Sequence, residues 1–245
     1  MNEFIYGIHA VRAFFLRYPK CVLCIYTIIE DDNSNKSRKK LIYELKNYGI
    51  KINIVKKLWI NNKFKGTVHQ GIIAKVKKIN YYLQEKDLFK VFEKKNPILL
   101  VLDGVTDPHN LGACIRCADA AGVIAVIIPR HNSAKINSTT KKVASGAVET
   151  VPIFRVTNLA RTLYLLKDHV WIVGTTLEAK KNIYQSKLNG PLALVIGSEG
   201  NGIRRIIYKY CDELVYIPMA GSVSSLNVSV AAGICLFEAV RQRIN

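Results

Sequence analysis

From residue 98 onward, short apolar runs alternate with longer stretches of helical periodicity. The apolar runs predict buried strands at residues 98–102, 125–128, 170–174, 192–197 and 214–217. The stretches between and after them predict helices at residues 110–121, 138–147, 158–166, 203–210 and 226–243. Strands that alternate with helices in this way favour an α/β fold, in which helices cover both faces of a parallel sheet.

The first third of the chain has a different pattern. Its periodicity predicts a small α/β unit with helices at residues 5–15 and 36–48, and strands at residues 21–28, 51–55 and 71–76. A charged segment then ends at Pro97, which is typical of a connector. We therefore predict a first domain at residues 1–75, a linker at residues 76–96 and a second domain at residues 97–245.

The charge of the chain changes this picture by indicating a partner. There are 36 Lys and Arg residues against 18 Asp and Glu, and residues 1–95 hold 20 of the basic residues and 8 of the acidic ones. A basic excess concentrated in one part of a chain indicates a polyanionic partner such as nucleic acid. No apolar run approaches the ~20 residues of a membrane span, and the start lacks the pattern of a secretory signal. We expect a cytoplasmic protein with no membrane partner.

Two cysteine pairs have the spacing of zinc ligands, namely Cys21 with Cys24 and Cys114 with Cys117. The first pair falls in a predicted strand, which directs the two side chains to opposite faces. The second pair falls in a predicted helix, and no histidine clusters with it. We expect buried structural thiols and no metal.

Three segments follow predicted strands at the edge where open α/β sheets bind ligands. The first runs from Asp103 to Arg116, with Asn110 as the predicted N-cap of the next helix. The guanidinium of Arg116 suits a phosphate or a carboxylate, although an ordinary arginine on a helix surface explains the spacing equally well.

The second segment contains Gly197, Gly200 and Gly202, which would allow a ligand to approach the backbone closely. It lacks the G-x-G-x-x-G pattern and a later ribose-binding acid, so a dinucleotide is disfavoured. Glu199 is either catalytic or a structural acceptor for loop amides.

The third segment places Ser224, Ser225 and Asn227 before the N-terminus of a helix, where free N–H groups are exposed.

The runs Asn-Leu-Gly-Ala-Cys-Ile-Arg (110–116), Val-Ile-Gly-Ser-Glu-Gly-Asn-Gly (195–202) and the polar loop at 217–229 together resemble the SpoU/TrmH family of RNA ribose methyltransferases, within the SPOUT class. The order, the spacing and the placement at strand ends are similar over about residues 97–245. The run Tyr-Gly-Ile-His-Ala-Val (6–11) resembles the start of the L30e-like substrate-binding domain that such enzymes carry.

The resemblance implies a SPOUT domain with a parallel sheet and a deep trefoil knot, a homodimer, and S-adenosyl-L-methionine (AdoMet) as the cofactor. It implies cofactor contacts by Gly197, Ile217, Leu226, Thr175, Met219 and Gly200. It implies catalytic roles for Arg116, Asn110, Glu199, Ser225 and Asn227. The expected reaction is methylation of a guanosine 2′-hydroxyl in 23S ribosomal RNA. Methylation of transfer RNA and a non-catalytic RNA-binding assembly factor are the alternatives.

Overall fold

The chain divides into two units in the computed structural model, which describes residues 2–28, 36–93, 95–200 and 202–244. The first unit is Met1–Asn80 with Ser145–Thr150, and the second is Tyr81–Ala144 with Val151–Asn245. The second unit thus begins inside the segment 76–96, for which the sequence predicts a linker. Within the described residues, no helix is both long enough and apolar enough to cross a membrane.

The first unit is a four-stranded sheet with helices. Its strands are β1 (Asn2–Tyr6), β2 (Val22–Ile28), β3 (Ile52–Val55) and β4 (Ile72–Lys77), in the order β1-β4-β2-β3. Strand β4 is antiparallel to β1 and β2, whereas β2 and β3 are parallel. Helices α1 (Ile8–Arg17), α2 (Lys36–Asn47) and α3 (Lys57–Lys63) join it. Its largest apolar core contains Phe14, Ile25, Leu41, Leu45 and Ile72.

One prediction for this unit is wrong in detail, and one helix was missed. The predicted helix at residues 5–15 begins too early, because Ile5 and Tyr6 belong to β1 and pair with β4. Gly7, with φ of 88°, separates the strand from α1 and donates its N–H to the Ile72 carbonyl. Helix α3 was not predicted, since it is short and Ile60 is its one fully buried residue.

The second unit is built on an eight-stranded sheet in which every strand pair is parallel. The strand order is β10-β12-β9-β11-β6-β7-β8-β5. The strands are β5 (Tyr82–Leu83), β6 (Ile98–Asp103), β7 (Ala125–Pro129), β8 (Ile153–Val156), β9 (Trp171–Thr175), β10 (Lys181–Asn182), β11 (Leu192–Gly197) and β12 (Glu213–Tyr216). The predicted parallel sheet and its five apolar strands are therefore confirmed, with small changes at the strand ends.

The helices of this part of the chain are α4 (Pro108–Ala120), α5 (Ser138–Ala144), α6 (Ala147–Thr150, in the first unit), α7 (Leu159–Leu166), α8 (Arg205–Tyr208) and α9 (Val228–Ile244). The helix predicted at residues 138–147 is interrupted, because Ser145 and Gly146 have φ angles of 51° and 100°. Such positive φ angles are incompatible with a continuous right-handed helix.

The C-terminal helix is tied to the segment that precedes β11. Gln242 donates from Nε2 to the Ser186 carbonyl at 3.0 Å and accepts the Leu188 N–H through Oε1 at 2.8 Å. Arg243 donates from Nε to the Leu188 carbonyl at 3.2 Å. The same helix packs against α4 and β11. The end of the chain is thereby held close to the central strand of the sheet.

Helix α4 packs against α5 at Gly112, where a Cβ would lie 2.7 Å from the Thr140 carbonyl oxygen and 2.9 Å from the Val143 Cβ. A Cβ at Gly233 in α9 would meet only the Cys117 Sγ, at an ordinary 3.7 Å. The two helical glycines therefore differ in the room that they leave for a methyl group.

We predict that Gly112→Ala lowers the free energy of unfolding by about 1–3 kcal/mol, because overpacking outweighs the gain in helix propensity. The matched variant Gly233→Ala is expected to raise it by about 0.5–1 kcal/mol. Urea denaturation at one protein concentration measures both changes. Equal effects of the two substitutions would contradict the tight contact of α4 with α5.

Candidate active site

A cavity of about 360 Å³ lies at the carboxyl ends of β9, β11 and β12. This volume falls within the usual range for small-ligand sites, about 300–1,000 Å³. All six residues expected to contact a cofactor line this cavity: Thr175, Gly197, Gly200, Ile217, Met219 and Leu226. Their role in binding stays a prediction, but the structure brings the six together from three strand ends.

The loop after β11 turns back sharply on its own strand. Ser198 and Gly202 exchange two backbone hydrogen bonds, of 3.1 and 2.9 Å. A Cβ at Gly197 would lie 1.9 Å from the Gly202 carbonyl carbon, so any side chain there would displace backbone atoms. Gly200 and Gly202 have φ angles of 82° and 63°, which favour glycine. Asn201, which belongs to the same motif, lies outside the described residues.

Asp103 fastens the end of this loop to the sheet. Its fully buried carboxylate accepts hydrogen bonds from the Arg204 backbone N–H at 2.9 Å and from Arg204 Nε at 2.8 Å, and Arg204 Nη2 lies 2.7 Å from it. Charge-assisted hydrogen bonds of this kind are roughly twice as strong as neutral ones. The loop is thus held at both ends, by the Ser198–Gly202 turn and by Asp103.

The third segment forms the opposite wall. Within the described part of the chain, the backbone of residues 218–226 makes no hydrogen bond to other backbone groups, which leaves its N–H and C=O groups available to a ligand. Ser224 and Ser225 line the cavity. Asn227 caps α9, since its Oδ1 accepts the Ser229 N–H at 3.0 Å and the Ser229 hydroxyl at 2.6 Å.

Asn110 joins the three segments. Its Nδ2 donates to Glu199 Oε2 at 3.3 Å, and its Oδ1 accepts from Asn227 Nδ2 at 2.9 Å. The prediction that Asn110 caps α4 is wrong, because Asp107 is the N-cap and accepts the backbone N–H groups of His109 and Asn110. The side chain of Asn110 is therefore free to link two residues that are far away in sequence.

Arg116 is not part of this cluster. It is exposed on α4 and does not line the cavity. Among the described residues, no hydrogen bond or ion pair that the structure shows involves its guanidinium. The structure therefore brings together four of the five residues expected to be catalytic, and leaves Arg116 facing solvent.

The segment after β9 also lines the cavity and was missed except for Thr175. Thr176, Leu177 and Glu178 all contribute, as does Tyr208 from α8. Thr176 Oγ1 and the Tyr208 hydroxyl are 2.9 Å apart. This contact connects the segment to α8, the helix that follows the loop at residues 198–202, which we call the glycine loop. The rule that ligands bind at carboxyl ends of strands would have found the segment had it been applied to β9.

The cysteines carry no feature of a redox or metal site. Burial raises the pKa of Cys114, Cys211 and Cys235 to about 12, so their thiols stay protonated near neutral pH. All six cysteines are free thiols. Within the described ranges, no three His, Cys, Asp or Glu side chains are grouped to hold a metal ion.

Comparison with known proteins gives consistent matches over both units. The model of the SpoU rRNA Methylase family matches residues 97–237, and a model described as RNA 2'-O ribose methyltransferase substrate binding matches residues 4–82. A protein of Photorhabdus laumondii named 23S rRNA (guanosine-2'-O-)-methyltransferase RlmB is 57% identical, with 99% of each chain covered. The protein of that name from Escherichia coli is 55% identical over 99% of this chain and 100% of its own length.

Solved structures show the same fold. The SpoU methyltransferase AviRb from Streptomyces viridochromogenes, in complex with the cofactor AdoMet, superposes with a TM-score of 0.78 at 23% identity, covering 99% of this chain and 91% of its own. The A. aeolicus TrmH/SpoU tRNA modifying enzyme is 34% identical, with a TM-score of 0.56 over 65% of this chain and 84% of its own.

We predict that Asp103→Asn destabilises the protein by about 1.5–3 kcal/mol, the usual contribution of hydrogen bonds to a charged group. The amides of residues 198–204 should also exchange hydrogen faster than in the wild-type protein, because the loop loses its anchor. Urea denaturation and hydrogen exchange measure the two effects. The same substitution at the exposed Asp168 is the control and should change stability by less than about 0.5 kcal/mol; similar results for both variants would contradict the anchoring role.

Proposed function

The chain belongs to the SpoU rRNA methylase family, and on this basis we propose that it transfers a methyl group from AdoMet to a guanosine ribose 2′-hydroxyl in 23S ribosomal RNA. The observation that carries the proposal is the 55–57% identity, over nearly the whole length of both chains, to enzymes named for this reaction. The structure supports it as well, because all six residues expected to contact the cofactor line one cavity.

The lining residues fit AdoMet in their chemistry. Ile217, Met219 and Leu226 offer apolar surface to a flat base, while the backbone groups of residues 218–226 offer donors and acceptors to its edges. At Gly197 and Gly202, which both line the cavity, only backbone atoms are present, and a Cβ at Gly197 would collide with the Gly202 backbone. When bound, AdoMet supplies a methyl group on a sulfonium, which is already activated for transfer.

The residues of the chain then have to align the ribose oxygen with that methyl group and assist in removing the 2′-proton. Asn110, Glu199 and Asn227 form one hydrogen-bonded unit at the cavity, with Ser225 in its lining, and we assign them to positioning the ribose. The hydrogen bond from Asn110 to Glu199 also connects the glycine loop to α4.

We assign Arg116 to the RNA. A guanidinium is not a base near neutral pH, so it does not accept the 2′-proton itself. Its exposure and its planar donor groups suit a phosphate of the target nucleotide. In this assignment Arg116 orients that phosphate to take the 2′-proton, while bound AdoMet would supply the methyl group by cleavage of its sulfonium carbon–sulfur bond and leave as the thioether.

The two domains have separate tasks in this proposal. Residues 1–75 bind the RNA, residues 76–96 connect the domains, and residues 97–245 carry the reaction. In this proposal the C-terminal part of the chain forms a deep trefoil knot, in which backbone groups of the loops after β11 and β12 would hold AdoMet. The enzyme acts in the cytoplasm on ribosomal RNA.

Helix α9 supports a homodimer. Val230, Phe237 and Ile244 are spaced by seven residues, so they lie on one face of the helix, and they are 48, 50 and 78% exposed. The opposite face is buried against the sheet and α4. An exposed apolar stripe on the helix beside the cavity indicates a protein contact, and a second copy of the chain is its proposed occupant.

We predict that Arg116→Ala lowers methyl transfer to 23S ribosomal RNA by at least about 100-fold, the usual loss when one charge-stabilising donor is removed. The affinity for AdoMet should stay within about twofold of the wild-type value.

The assay follows labelled methyl groups from AdoMet into a 23S transcript and maps the modified ribose. A transfer RNA transcript serves as the alternative substrate. Lys187→Ala, at an exposed basic residue near the amino ends of β9 and β11, is the control. Near wild-type transfer by Arg116→Ala would refute its assignment, and methylation of only the transfer RNA would refute the substrate.

We also predict that Phe237→Glu converts a wild-type dimer into a monomer, because a charge on the apolar stripe would have to be buried in the interface. Sedimentation equilibrium at micromolar concentration measures the mass. Tyr164→Glu, at an exposed aromatic residue on α7, should leave the dimer intact. A wild-type protein that sediments as a monomer would contradict the homodimer.

A further inference from the structure

The excess of positive charge in the catalytic part of the chain comes from one stretch. Residues 120–167 hold seven Lys and Arg residues and a single acidic one, Glu149, which is buried. The remainder of residues 96–245 holds nine basic and nine acidic residues, so it is neutral. The whole basic excess of this part therefore comes from residues 120–167.

Part of this charge lies on the loop after β7, which we call the β7 loop and define as residues 130–137. Arg130, His131 and Lys135 are all exposed there. In the sheet order, β7 is separated from β11 by β6 alone. With strands about 4.8 Å apart, the β7 loop begins roughly 10 Å from the end of β11, where the cavity lies.

Backbone contacts connect the β7 loop to the wall of the cavity. The Ala134 N–H donates to the Val105 carbonyl at 2.8 Å, which places the loop against the segment after β6. In that segment a Cβ at Gly104 would lie 3.6 Å from the Cβ of Ser198, which lines the cavity. The β7 loop is thus a continuation of the cavity rim along the carboxyl edge of the sheet.

The β7 loop is held firmly while its basic side chains face solvent. Ser133 Oγ donates to the Pro129 carbonyl at 2.5 Å, and the Ile136 N–H donates to the Tyr82 hydroxyl at 2.8 Å. Thr140 Oγ1 donates to the Lys135 carbonyl at 3.0 Å. A backbone fixed in advance lowers the entropy that is lost when its side chains bind an anion.

We propose that Arg130 and Lys135 bind phosphates of the RNA strand that flank the target nucleotide, and so lead the strand along the carboxyl edge into the cavity. This inference rests on the proposed function, since it takes the ribose to be at the cavity. The charge complementarity, the absence of acidic side chains in the β7 loop and its distance from the cavity all match a nucleic-acid backbone.

The test is the salt dependence of RNA binding by the double variant R130Q/K135Q. Filter binding to a 23S transcript at several salt concentrations gives the slope of log affinity against log salt, which changes by about 0.7–0.9 for each phosphate contact. We expect the slope to become shallower by about 1.4–1.8 and the affinity at low salt to fall, with each single variant giving about half of the effect. The affinity for AdoMet should be unchanged, which shows that the fold is intact.

The matched control is K187Q/K209Q, which removes two charges from the opposite edge. Lys187 lines a cavity with Trp171 and Leu192 at the amino ends of β9 and β11, and Lys209 lies in the segment that leads into β12. The control should keep the wild-type slope. In steady-state kinetics, R130Q/K135Q should raise the KM for RNA while kcat stays within about twofold.

A wild-type slope and affinity in R130Q/K135Q would overturn the inference, as would a fall in kcat without a change in KM. Equal slopes in R130Q/K135Q and K187Q/K209Q would also overturn it, because the contact would then be a general effect of charge. The binding measurement does not depend on turnover. A wild-type protein that does not methylate 23S ribosomal RNA would refute the proposed function. The salt dependence of RNA binding would still decide whether the β7 loop binds RNA.

Discussion

The site depends on one close approach between two pieces of backbone. At the end of β11 the chain turns back so tightly that Gly202 and Ile203 occupy the space where a side chain of residue 197 would lie. Because this turn is hydrogen-bonded within itself and anchored by Asp103, it forms a rigid wall at the centre of the parallel sheet. The neighbouring strand ends supply the other walls of the cavity.

The same turn positions Glu199, and a single amide side chain connects it to the rest of the site. Asn110 can do this because Asp107 already caps α4 and satisfies the first N–H groups of that helix. One face of Asn110 then binds Glu199 and the other binds Asn227, the cap of α9. A substitution at any of the three would therefore disturb α4, α9 and the glycine loop together. Such a variant would change the shape of the site as well as the groups that contact the ribose.

The sequence predicts the central strands well because β6, β7 and β11 are buried on both faces and read as uninterrupted apolar runs. It predicts poorly where burial is partial or the strand is short. Strand β1 is mostly half-exposed, and β8 is short with Arg155 inside it. The cap of α4 was assigned to Asn110 although Pro108 favours the first helical position, a signal that points to Asp107.

The candidate site was predictable only in part, for similar physical reasons. Strand-end placement and glycines indicate a small-ligand cavity, but the contact between Asn110 and Asn227 joins residues 117 positions apart, and no local pattern encodes it. The identity of the cofactor and of the product came from the resemblance to a family, which the matches to both units then confirmed. The sequence left open whether Arg116 is an ordinary helix-surface residue or part of a phosphate site, because its spacing fits both equally well.

The distribution of charge explains how such a site can act on a large polyanion. The described residues that line the cavity are mostly neutral, and the two charged ones, Glu178 and Glu199, are acidic, so the cavity itself gains little from phosphate attraction. The excess of basic over acidic residues comes from residues 1–95 and from residues 120–167. Binding energy from contacts away from the reacting atoms can hold the ribose 2′-oxygen in line with the methyl group. Because the leaving group is already activated, this alignment is what the protein has to supply. A cavity lined by lysines would bind the RNA backbone in place of the ribose hydroxyl, whereas a neutral cavity beside a basic rim favours the arrangement that the reaction needs.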